Sequence, residues 1–410
     1  MQTQLADFIR DTPEGREADA ILRKCVHCGF CNATCPTYQL LGDELDGPRG
    51  RIYLIKQVLE GVAPTAKTRL HLDRCLTCRA CETTCPSGVQ YGQLADIGRA
   101  IVEQRTSRGP MERLQRTALA LVLPKTGLFS FLLLLGRLTK SFLPESLKKK
   151  IPEKSEPAGA WPAPRHKRRM LVLAGCVQPA LAPAINAAAA RVLDGAGISL
   201  IEAPGAGCCG ALRFHLNEQE AGRDDIRALI DAWWPHIERG EIEAIVMTAS
   251  GCGVFAKEFV HHLKQDPAYR DKAARISAIT KDLSEVIEPK AGTRKGRVAF
   301  QSPCTLQHGQ QLHGKVEALL QKAGYELAPV ADGHLCCGSA GTYSILQPEL
   351  SGKLRERKLA ALAAGGAGTI ATANIGCLSH LQAGTRTPVR HWIQLLDEGV
   401  AGAQAGTQGG

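Results

Sequence analysis

The stretch CVHCGFCNATCP, residues 25–36, puts four cysteines into eleven positions and closes on a proline; fifty residues later CLTCRACETTCP, residues 75–86, repeats it. The shared schedule is C-x2-C-x2-C-x3-C-P. Two-residue intervals allow tight turns, so three sulfurs of each run can face one centre. The fourth follows after three residues and is led away by Pro36 or Pro86, so it points elsewhere.

That schedule is the one by which bacterial two-cluster ferredoxins hold [4Fe-4S] cubanes, with the fourth cysteine of each run ligating the other cluster. It predicts one cluster on Cys25, Cys28, Cys31 and Cys85 and a second on Cys75, Cys78, Cys81 and Cys35. Structural zinc is the competing reading, but zinc sites are usually built from two separated C-x2-C pairs. His27 stands between two of these cysteines and reads as a flanking group, because four thiolates already complete each site.

At 410 residues the chain has room for two or three domains. Its 44% hydrophobic and 22% charged content is that of an ordinary globular protein. Sixteen cysteines in so long a chain read as metal ligands in a reducing compartment rather than a disulfide framework. The opening residues lack a basic leader followed by an apolar core, and the expected location is the cytoplasm. The apolar run LFSFLLLLG, residues 128–136, is too short to span a bilayer.

The net charge of +10 is concentrated. Residues 137–169 hold ten Lys or Arg against three Glu, along with five prolines, which marks a linker. The simpler reading is a solvated linker beside a helix that packs on the next domain. The other is contact with an acidic partner or, peripherally, with anionic lipid on the inner face of the membrane. No nucleic-acid-binding pattern accompanies the charge.

From Met170 onward a second repeat appears. Cys176 and Cys304 each end an apolar run, 128 residues apart; Cys208-Cys209 and Cys336-Cys337, each followed by glycine, are also 128 apart; Cys252 and Cys377 are 125 apart. This is a duplicated module. Strands are expected in MLVLAG, GISLIEAP and EAIVMTAS, and again in RVAFQS, YELAPV and GTIATAN. Alternation with helices implies a parallel sheet, with the cysteines beyond the carboxyl ends of its strands. GAGCCG, residues 205–210, satisfies a dinucleotide pattern, but its counterpart GHLCCG does not, so no flavin or nicotinamide site is assigned to this chain.

Two ferredoxin motifs followed by two C…CCG…GC modules resemble the iron-sulfur subunits of flavin-linked hydroxyacid and glycerol-3-phosphate dehydrogenases and of heterodisulfide reductase. The sequences CPTYQLLGDELDGPRGRIYLIKQVLEG, HLDRCLTCR, DAWWP, TASGCG, HLCCGSAGTY, TANIGC and VRHWI look most like the bacterial glycolate oxidase iron-sulfur subunit family. The resemblance implies a subunit without catalytic residues of its own. It would accept electrons from two flavin-type subunits that oxidise glycolate to glyoxylate, and pass them to an acceptor such as quinone. A D-lactate or glycerol-3-phosphate dehydrogenase subunit, or a heterodisulfide reductase-like catalytic subunit, is the alternative.

In heterodisulfide reductase-like relatives each module ends in C-x2-C. Here Ala249 and Asn374 stand at the first of those positions, leaving four thiols per module: Cys176, Cys208, Cys209 and Cys252, then Cys304, Cys336, Cys337 and Cys377. A further iron-sulfur or zinc site on these thiols stays open, with His215, His308, His334 and His380 as flanking groups. The expected fold is α+β / α/β. A helical two-[4Fe-4S] ferredoxin-like domain occupies 1–110 and an apolar then basic linker 111–169; cysteine-rich modules follow over 170–290 and 291–396, with a flexible tail over 397–410.

Overall fold

The computed structural model describes residues 1–142, 156–289 and 291–398. Lys148, Lys149 and Lys150 of the basic linker, and most of the tail, lie outside the described residues.

The N-terminal region is helical. Helix Pro13–Lys24 starts with proline at its first position, and the Thr12 hydroxyl accepts from the Gly15 amide. Helix Pro48–Leu59 also begins on proline, and helix Ala66–Asp73 opens with a capping box between Thr65 and Thr68. These helices and Tyr91–Arg105 bury Leu22, Ile55, Leu59, Leu72 and Leu94 in one core, into which Cys25, Cys75 and Cys81 also pack. At the crossing of helices 48–59 and 91–105 stands Gly98, where a Cβ would lie 2.6 Å from Ile55 Cγ1. Glycine there permits the close approach.

Each cysteine-rich module is an α/β unit with a four-stranded parallel sheet. The first has β1 Arg168–Val172, β2 Ile198–Glu202, β3 Ala244–Met247 and β4 Thr280–Asp282, in the order β2-β1-β3-β4. The second repeats that order with β5 Arg297–Gln301, β6 Glu326–Leu327, β7 Thr369–Thr372 and β8 Val389–His391, as β6-β5-β7-β8. Strands β3 and β4 align Ile245 with Thr280, and β7 and β8 align Ile370 with Val389. The central strands are apolar on both faces because helices cover both sides of a parallel sheet. Strands β4 and β8, with sequences TKD and VRH, have no apolar run to announce them. Their place is set by pairing at the sheet edge.

The two modules share one core. Val172 and Val246 of the first pack in the same cluster as Phe300 and Ala371 of the second. The Ser250 amide donates to the Ala373 carbonyl at 3.1 Å, and His391 Nε2 lies 2.9 Å from the Thr248 carbonyl oxygen. The sheets therefore meet where their cysteine-bearing strand ends converge.

Between the helical region and β1 run helices Pro110–Val122 and Thr126–Leu138. The apolar run forms a helix that packs on the next domain only at helix Gln178–Leu181: none of its residues is buried, and Phe131 and Leu138 are 62% and 70% exposed. The helix is held at its start, where the Thr126 hydroxyl donates to the Gly175 carbonyl, just before Cys176. No single described helix is long and apolar enough to cross a membrane.

Candidate metal centres

Left-handed residues shape both N-terminal cysteine loops. His27 and Gly29 have φ of 61° and 87°, and the equivalent Thr77 and Arg79 have 50° and 61°. This curls the chain around a centre and turns backbone amides inward; the Thr77 amide donates to Cys75 Sγ at 3.4 Å. Cys35 and Cys85, each followed by proline, leave their own loops in extended conformation.

One cavity is lined by Cys25, Cys28, Cys31 and Cys85, and a second by Cys35, Cys75, Cys78 and Cys81, with Cys81 also in the wall of the first. Each cavity thus gathers three sulfurs from one run and the fourth from the other. All sixteen cysteines are free of disulfides.

Around the second cavity lies a shell of donors that the motif does not announce. Arg51 is 1% exposed; it donates through Nε to the His71 carbonyl at 2.7 Å and through Nη2 to Thr37 Oγ1 at 3.1 Å, and its Nη1 lies 4.0 Å from Cys35 Sγ. Its counter-charge is the fully buried Asp46, which also receives Arg74 at 2.8 Å and His71 at 3.1 Å. Tyr91 donates its hydroxyl to Cys75 Sγ at 3.6 Å, and Arg99 donates to the Cys75 carbonyl at 2.6 Å. Burial alone would raise the Cys75 thiol, but Arg51 and Arg99 outweigh it and hold it below its ordinary value, which favours the thiolate a metal requires. Burial pushes Cys78 and Cys81 well up, as apolar surroundings do to thiols without a cation beside them. The sequence signal for Arg51 is a charge on the apolar face of a helix, between Pro48 and Ile52, Ile55 and Leu59.

In the first module Cys176, Cys208, Cys209 and Cys252 follow one another within hydrogen-bond reach. The second repeats the chain in the same order, Cys304, Cys336, Cys337 and Cys377, with Cys304 Sγ 3.9 Å from Cys336 Sγ. Gly210 and Gly338, both at φ 91°, close the two cysteine pairs, and each amide donates to the first sulfur of its pair at 3.4 Å. A Cβ there would meet Gly222 O at 2.5 Å or Ser351 O at 2.7 Å, so the glycine of each CCG is sterically required. Asn374 caps its own helix, accepting from the Gly376 amide.

Among the described residues, the only three metal-ligating side chains whose atoms all lie within 4.8 Å of one another are Asp43, Asp46 and His71. Arg51 and Arg74 already neutralise that group. The module thiols are strung out, whereas a tetrahedral zinc with bonds of about 2.3 Å draws four sulfurs to about 3.8 Å from one another.

His27, His215, His308 and His380 are engaged elsewhere. His308 bridges Thr83 Oγ1 and the His334 carbonyl, both at 2.9 Å, and His380 meets Ser351 Oγ at 3.2 Å. His27 packs on Tyr53, and His215 on Phe214 and Phe255. The helical region is tied to both modules: Arg79 pairs with Glu258, and Cys78 and Leu76 pack in one cluster with Cys304, Cys336 and Tyr343.

A 4Fe-4S dicluster domain model matches residues 21–89, and a cysteine-rich domain model matches twice, over residues 170–256 and 298–382. Over 405 residues the chain is 55% identical to the glycolate oxidase iron-sulfur subunit of Escherichia coli (strain K12), covering 98% of this chain and 99% of that protein. It is 32% identical over 398 residues to the probable glycolate oxidase iron-sulfur subunit of Bacillus subtilis (strain 168), covering 88% and 89%. Lactate utilization protein A of Exiguobacterium sp. (strain ATCC BAA-1283 / AT1b) is 24% identical over 238 residues, covering 55% of this chain and 95% of that protein.

Replacing Arg51 by Met leaves Asp46 buried with one strong cation fewer. The expected cost is about 3–5 kcal/mol of folding stability, the usual result of breaking a buried pair from one side. Anaerobic urea unfolding measures it, and a loss below about 1 kcal/mol would mean that Arg74 and His71 suffice.

Proposed function

The chain belongs to the glycolate oxidase iron-sulfur subunit family, and on that basis we propose that it carries electrons from two flavin-type subunits oxidising glycolate to an acceptor, quinone being the reading preferred. The carrying observation is the pair of cavities, each lined by three cysteines of one run and the fourth of the other. The donor set fits a [4Fe-4S] cluster in each, on Cys25, Cys28, Cys31 and Cys85 and on Cys75, Cys78, Cys81 and Cys35. When bound, such clusters take up and release single electrons at potentials set by their surroundings, splitting the pair a flavin delivers.

The chain's own residues prepare those surroundings. Arg51, Arg99 and Tyr91 place positive charge and hydrogen-bond donors against the second cavity, which stabilises added negative charge there. Leu76 and Tyr343 exclude water from its flank. The first cavity has Arg49 in its wall, but Arg49 is paired with Glu44 at 2.6 Å. Arg51 is likewise paired, with Asp46, but Arg99 donates to the Leu72 and Cys75 carbonyls and adds its charge to the second site, which is therefore the better electron sink of the two.

The strung-out thiols of the cysteine-rich modules suit a polynuclear iron-sulfur centre better than a single zinc. Sixteen free cysteines suit the cytoplasm. The exposed apolar face of helix Thr126–Leu138, followed by the basic stretch to residue 169, suits peripheral contact with anionic lipid.

Three outcomes are expected. Anaerobically isolated protein should contain at least about eight iron and eight sulfide per chain, the content of two cubanes; glycolate should reduce them only when the flavin subunits are present, and reduction of the isolated chain by glycolate would overturn the assignment. Cys35→Ser should disturb the EPR signal of the cluster on Cys75, Cys78 and Cys81 and spare the other; the opposite pattern would reverse the ligand assignment. Phe131→Asp with Leu135→Asp should lower recovery on phosphatidylglycerol vesicles at least tenfold with iron content unchanged, since each apolar side chain contributes about 1.5–3 kcal/mol when buried. Equal recovery would leave the helix without a lipid role.

A further inference from the structure

Among the eight cysteines from 25 to 85, Cys28 alone is exposed. It lies at the mouth of the first cavity, between Val26 and Phe30, which are 69% and 62% exposed. Tyr53, 45% exposed on helix Pro48–Leu59, stands behind them with its ring 6.1 Å from that of His27. The most exposed sulfur of the eight thus sits between two large apolar side chains of its own loop, with Tyr53 near the His27 ring beside it. The arginine in the cavity wall, Arg49, is spent on Glu44. A surface of this kind does not attract by charge; it gains by losing water, as the apolar centre of an interface does.

The second cavity, by contrast, has no exposed sulfur. Its Cys78 packs with Leu76, Cys304, Cys336, Tyr343 and Leu350 beneath the second cysteine-rich module. Of the two cavities, only the first presents an exposed ligand sulfur to a partner in solvent. Electron transfer weakens steeply with distance, so a donor from outside must dock where a ligand sulfur is at the surface.

We infer that Val26, Phe30 and Tyr53 form the docking surface for a flavin-bearing subunit, with Cys28 at its centre as the point of electron entry. This rests on the functional reading above and adds to it the face used and the direction of flow: entry at the first cavity, then inward to the second and on toward Cys304 and Cys336. The exposed helix Thr126–Leu138 is held beside Cys176 of the first module, through the Gly175 carbonyl. Docking itself makes and breaks no covalent bond; it expels water from around Cys28 and sets the partner's distance. Aromatic anchors surrounding a small central contact are enough for this, because electron-transfer encounters sit at the small end of interface sizes.

The test uses the full chain co-expressed with its flavin subunits. Two variants are compared with the unsubstituted chain: Val26→Asp with Phe30→Asp, and Tyr53→Glu, which lies on a helix outside the ligand loops. Iron content and the EPR signals after dithionite reduction report whether the clusters are intact; co-purification of the flavin subunits and the rate of glycolate-driven reduction report docking. The expected result is unchanged iron and dithionite signals, with both flavin-subunit recovery and glycolate-driven reduction down at least tenfold. If the double variant loses its first cluster, Tyr53→Glu decides by the same readouts. Undiminished recovery and reduction in variants that retain their clusters would overturn the docking surface while leaving the functional reading standing. Loss of the flavin subunits in Phe131→Asp with Leu135→Asp, but not in the rim variants, would overturn it too. Failure of the unsubstituted chain to bind the flavin subunits or to be reduced through them would instead remove the functional reading, and the docking surface with it.

Discussion

The helical region is organised around one buried charge pair. Asp46 and Arg51 are 0% and 1% exposed, and between them they reach Thr37, His71, Arg74 and the sulfur of Cys35. A guanidinium in such a place is tolerable only when its donors are satisfied, and here a carboxylate, a hydroxyl and a carbonyl meet them. The pair therefore joins the segment after the first cysteine run to the helix before the second. Cys35 lines the cavity of the other run, and this join holds it there.

The same logic of mutual completion recurs in the cysteine-rich half. Two copies of a four-stranded parallel sheet bury one core between them, and cross-contacts such as Ser250 to Ala373 and His391 to Thr248 stitch the strand ends together. Each copy brings four thiols to a rim, with a left-handed glycine closing the cysteine pair. Duplication thus supplies two similar rims, and the surroundings make them different. The rim with Cys304 and Cys336 faces the buried N-terminal cavity; the rim with Cys176 lies beside the exposed helix 126–138.

That asymmetry suits the electron-carrying role proposed for the chain. One cavity opens to solvent through Cys28, amid apolar side chains and a neutralised arginine. The other has no exposed sulfur and is faced by Arg99, which donates to backbone carbonyls, and by the Tyr91 hydroxyl, both of which favour added negative charge. A gradient of exposure and a gradient of electrostatic stabilisation point in the same direction, from the surface toward the cysteine-rich modules.

The sequence by itself determined which cysteines gather at each N-terminal cavity, the doubling of both halves and six of the eight described strands. These depend on spacing and on apolar runs, both local properties of the chain. The folded chain alone decided what depends on neighbours distant in sequence. Strands β4 and β8 are short and polar, and they are strands because an existing sheet edge offers them partners. Arg51 is legible as a misplaced charge on an apolar face, but that it faces Cys35, sixteen residues earlier, follows from packing. The apolar run 128–136 reads as a helix that packs on the next domain; it does touch helix 178–181 there, yet burial is decided by whether a complementary surface lies opposite, and among the described residues none covers its outer face. The exposure of Cys28 among eight cysteines of like spacing has the same origin: the second module covers one of two locally similar loops and leaves the other open.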